Sequence, residues 1–94
     1  MKYHELKIDE KWFDAIVKNE KTCEVRKNDR NFEVEDIIHF TLPNDASEEN
    51  KKKAENLLLK ITHILTDQDF PNGIMPGYCV ISFKKGTSTF KADK

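Results

Sequence analysis

Between Lys18 and Arg30 the chain reads Lys-Asn-Glu-Lys-Thr-Cys-Glu-Val-Arg-Lys-Asn-Asp-Arg, and three of its groups could grip a ligand: the Lys21 ammonium, the Glu24 carboxylate and the Arg26 guanidinium. In a strand, Thr22, Glu24 and Arg26 share one face while Cys23 and Val25 share the other. We therefore expect Cys23 and Val25 to anchor the strand inward and the polar row to face out. Arg26 offers a planar fork of donors suited to a phosphate or a carbonyl edge, and Lys21 adds a mobile point charge. Glu24 can orient that fork or accept from the exocyclic amine of a base. Such a row suits one nucleotide or a splayed base of single-stranded RNA. The plainer alternative is a solvated Glu–Arg pair of little energetic value, as charge runs often are.

The same groups could serve amide hydrolysis, which needs a base or nucleophile, a proton donor and a stabiliser for the oxyanion. Lys21 beside Arg26 could activate water or a hydroxyl, and Glu24 could shuttle the proton. His63, Asp67 and Asp69 lie near the end of an apolar run and are further candidates for the rim of a site, weighed against plain loop or surface roles. Tyr3, Phe70, Tyr78 and Trp12 could stack on a base, although core packing is the ordinary role of each. Cys23 and Cys79 sit in apolar runs without CxxC or Cys-His spacing, so we expect buried free thiols, no zinc site and no cofactor.

The elements that must position these groups are short. Ninety-four residues allow one domain with a modest core, and nine aromatics (one Trp, two Tyr, six Phe) support folding. The net charge of −1 argues against a protein that covers many duplex phosphates. Residues 18–30 are locally basic, so any nucleic-acid contact would be a small grip on a single strand, a loop or one nucleotide. No apolar run of about 18 residues is present, so no membrane span is expected. The N-terminal Met-Lys-Tyr-His-Glu-Leu-Lys lacks the apolar stretch of a secretory signal, so we expect a cytoplasmic protein.

Residues 3–8 read as a first strand. Asp9 reads as a helix N-cap whose carboxylate accepts from the first turn, with Ile8 and Phe13 as a hydrophobic staple. Trp12, Phe13, Ile16 and Val17 form one apolar stripe, and the helix should end near Lys18 with Asn19 in the left-handed conformation. A strand follows over 22–27, then a turn at 28–31 and a bend at Glu35-Asp36. Residues 36–42 form a strand, and 43–54 an exposed, charged connection with a short helix starting at Ser47. Residues 54–66 are read as a strand with a bulge near Leu58, 67–77 as a loop, and 78–83 as the last strand. The tail, 85–94, is expected to be weakly ordered. These elements make an α+β domain: one main helix and about five strands in a small curled sheet or barrel.

Asn19-x-Lys21-x-x-Glu24-x-Arg26 resembles the G-x-K-x-x-E-x-R signature of the ASCH (activating signal cointegrator homology) family. His4-Glu5-Leu6-Lys7-Ile8, Arg26 to Phe32 and Gly77 to Ser82 look like its DUF3850 branch, so the resemblance spans residues 4 to about 83. It implies a PUA-like mixed β-barrel over residues 1–84, with the helix packed at one end beside a cleft. It also implies an RNA-binding role, with Lys21, Glu24 and Arg26 lining that cleft and Asp29 and Arg30 as neighbours; the partner would be RNA or a nucleotide-like small molecule. Asn19 stands where the signature has glycine, and Val34-Glu35-Asp36 where relatives often have Val-Gly-Asp. The ASCH amidohydrolases that deacetylate N4-acetylcytidine resemble this block but use a catalytic threonine where this chain has Glu24. An amidohydrolase acting on an acylated nucleoside is therefore the alternative to binding. A protein-interaction module is a third reading, for which the sequence names no partner.

Overall fold

The computed structural model describes residues 1–86, and the element order confirms the α+β class. Strand β1 (Tyr3–Lys7) is followed by helix α1 (Glu10–Val17), β2 (Cys23–Lys27), β3 (Ile37–Thr41), α2 (Glu48–Glu55), β4 (Leu59–Thr66) and β5 (Tyr78–Lys85). The strands make one mixed sheet in the order β1-β3-β4-β5-β2. β1 and β3 are parallel, and the other pairs are antiparallel. The sheet curls into a half-barrel around Leu6, Phe40, Leu59, Ile61, Cys79 and Ile81, and α1 closes it with Phe13 and Ile16. No helix of the described residues is long and apolar enough to cross a membrane.

Local chemistry explains most of these boundaries. Helix α1 ends in a Schellman motif: Asn19 has φ 64°, its N–H donates to Ile16 O (3.0 Å), and Glu20 N–H donates to Ala15 O (2.8 Å). Asparagine thus fills the left-handed position after the helix that glycine most often takes. Pro76 and Gly77 occupy the centre of a turn closed by Tyr78 N–H to Met75 O (3.0 Å), with Gly77 at φ 85°. Asp9 does occupy the α1 N-cap, but its carboxylate makes no capping bond. The expected cap chemistry fails there, and only the backbone carbonyl of Asp9 serves Trp12 N–H and Phe13 N–H, both at 3.1 Å.

Three further expectations are corrected. The 43–54 connection is not simply exposed, because α2 occupies Glu48–Glu55 and buries Asn50 and Ala54. Ser47 Oγ caps it by accepting from Asn50 N–H (3.1 Å), and Glu10 and Asp14 of α1 accept from Asn50 Nδ2 at 2.6 and 3.0 Å. Two inward residues in a lysine-rich segment give little periodic signal, so the helix is set by this polar tie. The strand expected from residue 54 starts at Leu59, and its irregularity falls between Ile61 and His63 rather than near Leu58. There the inside–outside alternation slips: Ile61 is buried, while Thr62 and His63 are both exposed. Lys85 still belongs to β5, so the tail does not begin there; residues 87–94 of that expected tail lie outside the described residues.

Candidate functional site

A cleft of about 600 Å³ opens where the parallel strands β1 and β3 end and α1 begins. The carboxyl ends of parallel strands are frequent ligand sites in open sheets, and the volume suits a small-molecule fragment. Asp9 and Trp12 line one wall, Glu24 and Arg26 of β2 another, and Thr41 to Asn44 beyond β3 the third.

The register of β2 puts its charges there. Glu24 lies opposite Ile81 and Arg26 opposite Cys79, both wholly buried on the inner face of β5. Cross-strand partners share a face, so Glu24 and Arg26 turn inward. The expected orientation of this strand is therefore reversed: Cys23 is exposed and Val25 is 64% exposed, while only Cys79 is a buried thiol. Burial pushes the Cys79 thiol up from its ordinary range, helped by the Asp67 charge.

Glu24 and Arg26 of the cleft form a chain of charges with Lys21, which, contrary to expectation, does not itself line the cleft but stands beside it. Lys21 Nζ stands 3.1 Å from Glu24 Oε1, and Arg26 Nη1 stands 3.5 Å from Glu24 Oε2. The Glu24 side chain is only 13% exposed, so this carboxylate is held between two cations rather than dissolved in water. Arg26 Nη1 also donates to the Lys7 carbonyl at 3.0 Å. A guanidinium has five N–H donors and an ammonium three, so both cations keep donors for a ligand. The left-handed exit of α1 at Asn19 precedes Lys21, whose ammonium reaches Glu24 from outside the cleft lining.

Trp12 completes the wall and was misjudged from the sequence. Phe13 and Ile16 are buried and Val17 packs against the core, whereas Trp12 is 41% exposed. Each helical residue turns about 100° from the last, which swings Trp12 off the buried stripe and towards the cleft. Lys11 Nζ and Lys21 Nζ lie 4.5 and 5.4 Å from its ring centroid. The available signal was its position beside Phe13 at one edge of the stripe. Residues 41–44 were also missed as lining, since only the parallel pairing of β3 with β1 brings them there.

Other candidates lie elsewhere. Asp29 is exposed and does not line the cleft; Arg30 is exposed and its Nη1 donates to Glu5 O at 3.4 Å. Asp67 accepts from Gly77 N–H, and Asp69 from Thr66 N–H and Oγ1, which lowers the Asp69 carboxyl below its usual range. Both are turn carboxylates with local partners. His63, Tyr3, Phe70 and Tyr78 are likewise absent from the cleft lining. Among the described residues no group of three or more His, Cys, Asp or Glu side chains could hold a metal ion.

Comparison with known proteins adds a family and a fold. A family model described as a domain of unknown function, DUF3850, matches residues 3–83. The crystal structure of hypothetical protein PH0355 is similar with a TM-score of 0.58 and 18% identity, covering 92% of this chain and 100% of that one. At that identity the likeness concerns the fold alone. No curated protein matches the chain.

Proposed function

Because the chain belongs to the DUF3850 family, whose function is unknown, we propose from its own site that it is an RNA-binding domain of PUA-like, ASCH type. It takes a nucleotide of single-stranded RNA in the cleft lined by Trp12, Glu24 and Arg26, with Lys21 beside it. One observation carries this reading: a half-exposed tryptophan ring borders a cleft lined by Glu24 and Arg26, with Lys21 beside it, 3.1 Å from Glu24. An indole face suits base stacking, worth about 1–3 kcal/mol per base by substitution. A guanidinium and an ammonium suit a phosphate. Glu24 fixes both cations and lowers the net charge of the site, in keeping with a grip on one strand rather than on a duplex.

Trp12 is the chain's single tryptophan, so its fluorescence reports this site directly. Short mixed-sequence single-stranded RNAs should quench it saturably at low salt and more weakly at moderate salt. Arg26→Ala should weaken binding by about tenfold or more, as expected for lost hydrogen bonds from a charged donor. Circular dichroism would check that the variant folds. Absence of binding at low salt, or an Arg26→Ala protein that binds like the wild type, refutes the reading. Release of cytidine from N4-acetylcytidine, abolished by Lys21→Ala, would favour the amidohydrolase alternative instead.

A further inference from the structure

The half-barrel has an open seam. β1 pairs only with β3 and β2 only with β5, so among the described residues their facing edges share no ladder. Unpaired edges present free backbone groups and need cover. Here the cover is two guanidinium groups: Arg26 Nη1 donates to Lys7 O at 3.0 Å, and Arg30 Nη1 donates to Glu5 O at 3.4 Å. Glu5 and Lys7 are two apart in one strand, so their carbonyls point to the same side at a spacing of about 7 Å. The arginines are therefore set out along the seam at roughly the repeat of an extended nucleic-acid backbone, one at the cleft and one beyond it.

We propose that the bound RNA continues from the cleft along this seam, with Arg30 taking the phosphate next to the one held by Arg26. The ligand class is then an oligonucleotide with at least two consecutive phosphodiesters, not a mononucleotide. The proposal rests on the RNA reading of the cleft and extends it. Each guanidinium spends part of its five-donor fork on a carbonyl and keeps the rest for an anion. Lys7 and Lys27 are exposed on either side of the seam and add to its positive charge. The Glu5 carboxylate does not oppose it closely, because it leans towards His39 Nδ1 on β3 at 3.8 Å. An extended peptide is the poorer occupant. To pair with β1 it would need the Glu5 and Lys7 carbonyls, and both are taken by the arginines, whereas a phosphate accepts from those arginines where they stand.

Equimolar mixed-base pools of dinucleotides (one phosphodiester) and trinucleotides (two) test this with the full chain, using Trp12 quenching across a salt series. The wild type should bind the trinucleotide pool about tenfold more tightly than the dinucleotide pool, with a salt slope steeper by about 0.7. Arg30→Ala should remove that difference and leave dinucleotide affinity within about twofold, while Arg30→Lys should keep most of the slope. Thermal unfolding of both variants separates lost contact from lost fold, and the Arg30→Lys result stands if Arg30→Ala fails to fold. Equal wild-type affinity for the two pools, or a length preference that persists in Arg30→Ala, overturns the seam path and leaves the cleft reading standing. Failure of both pools to bind the wild type removes the cleft reading, and the seam path with it.

Discussion

Asp36→Asn should unfold this domain far more easily, because Asp36 fastens the start of β1 to the start of β3. Its carboxylate is almost wholly buried and accepts three hydrogen bonds: Lys2 N–H to Oδ1 (2.9 Å), and His4 Nε2 (2.9 Å) and Glu33 N–H (3.0 Å) to Oδ2. An asparagine has one acceptor oxygen, so either one or two of these donors would face an NH₂ group. An unsatisfied buried donor costs about 1–3 kcal/mol, and the surviving bonds lose the extra strength that a charged acceptor gives. The sum is about 3 kcal/mol, against roughly 5–14 kcal/mol of total stability for a chain of this length. With m near 1–3 kcal/mol/M, the urea midpoint should fall by roughly 1–3 M.

The same contacts set a pH dependence. Burial pushes the Asp36 carboxyl up, but the bonds from His4, Lys2 N–H and Glu33 N–H outweigh it and hold the group below the ordinary aspartate value. A carboxyl depressed in the folded state contributes stability above its unfolded pKa, and that contribution disappears as pH falls through the folded pKa. The gap between wild type and Asp36→Asn should therefore be full at pH 7 and begin to narrow below about pH 4. Urea titrations followed by circular dichroism at several pH values measure it. Coincident midpoints at pH 7, or a gap that widens on acidification, would refute the reasoning.

Two other outcomes follow from the geometry. Glu35 sits at φ 82° in the turn closed by Asp36 N–H to Glu33 O, a conformation that favours glycine, and its side chain pairs with Lys60 at 2.8 Å. Both Glu35→Gly and Glu35→Ala lose that ion pair, but only glycine relieves the left-handed backbone. Glu35→Gly should exceed Glu35→Ala in stability by about 1 kcal/mol, a melting difference of about 4–8 °C; equal melting points would contradict this. With a thiol reagent, Cys23 should react in the folded protein, while Cys79, buried on the inner face of β5 and with its thiol raised, should react only after denaturation. Two fast thiols in native buffer would show that Cys79 is not enclosed.

Much of the fold was legible in the sequence because its signals are local. Asn19 after an apolar stripe marked the helix end, Pro76-Gly77 marked a turn, and the β-branched runs marked β3, β4 and β5. Where chemistry depends on one neighbour only, reading failed. The Asp9 carboxylate had the right place for a cap but made no capping bond, and the helix starting at Ser47 was legible while its burial was not, because Asn50 is held by partners 36 and 40 residues away in α1.

The order of residues was enough to give Glu24 and Arg26 on one strand face with Lys21 just ahead of the strand, a helix before it and an α+β domain, since caps, turns and side-chain alternation act over a few residues. It could not say which face of β2 turns inward. That was decided when Glu24 and Arg26 paired opposite Ile81 and Cys79, because a strand with period two has two equivalent faces until a neighbour fixes one. The parallel pairing of β1 with β3 likewise brought Trp12, Arg26 and residues 41–44 around one hollow. No spacing along the chain encodes that meeting of distant segments; it follows from how the curled sheet closes on its helix.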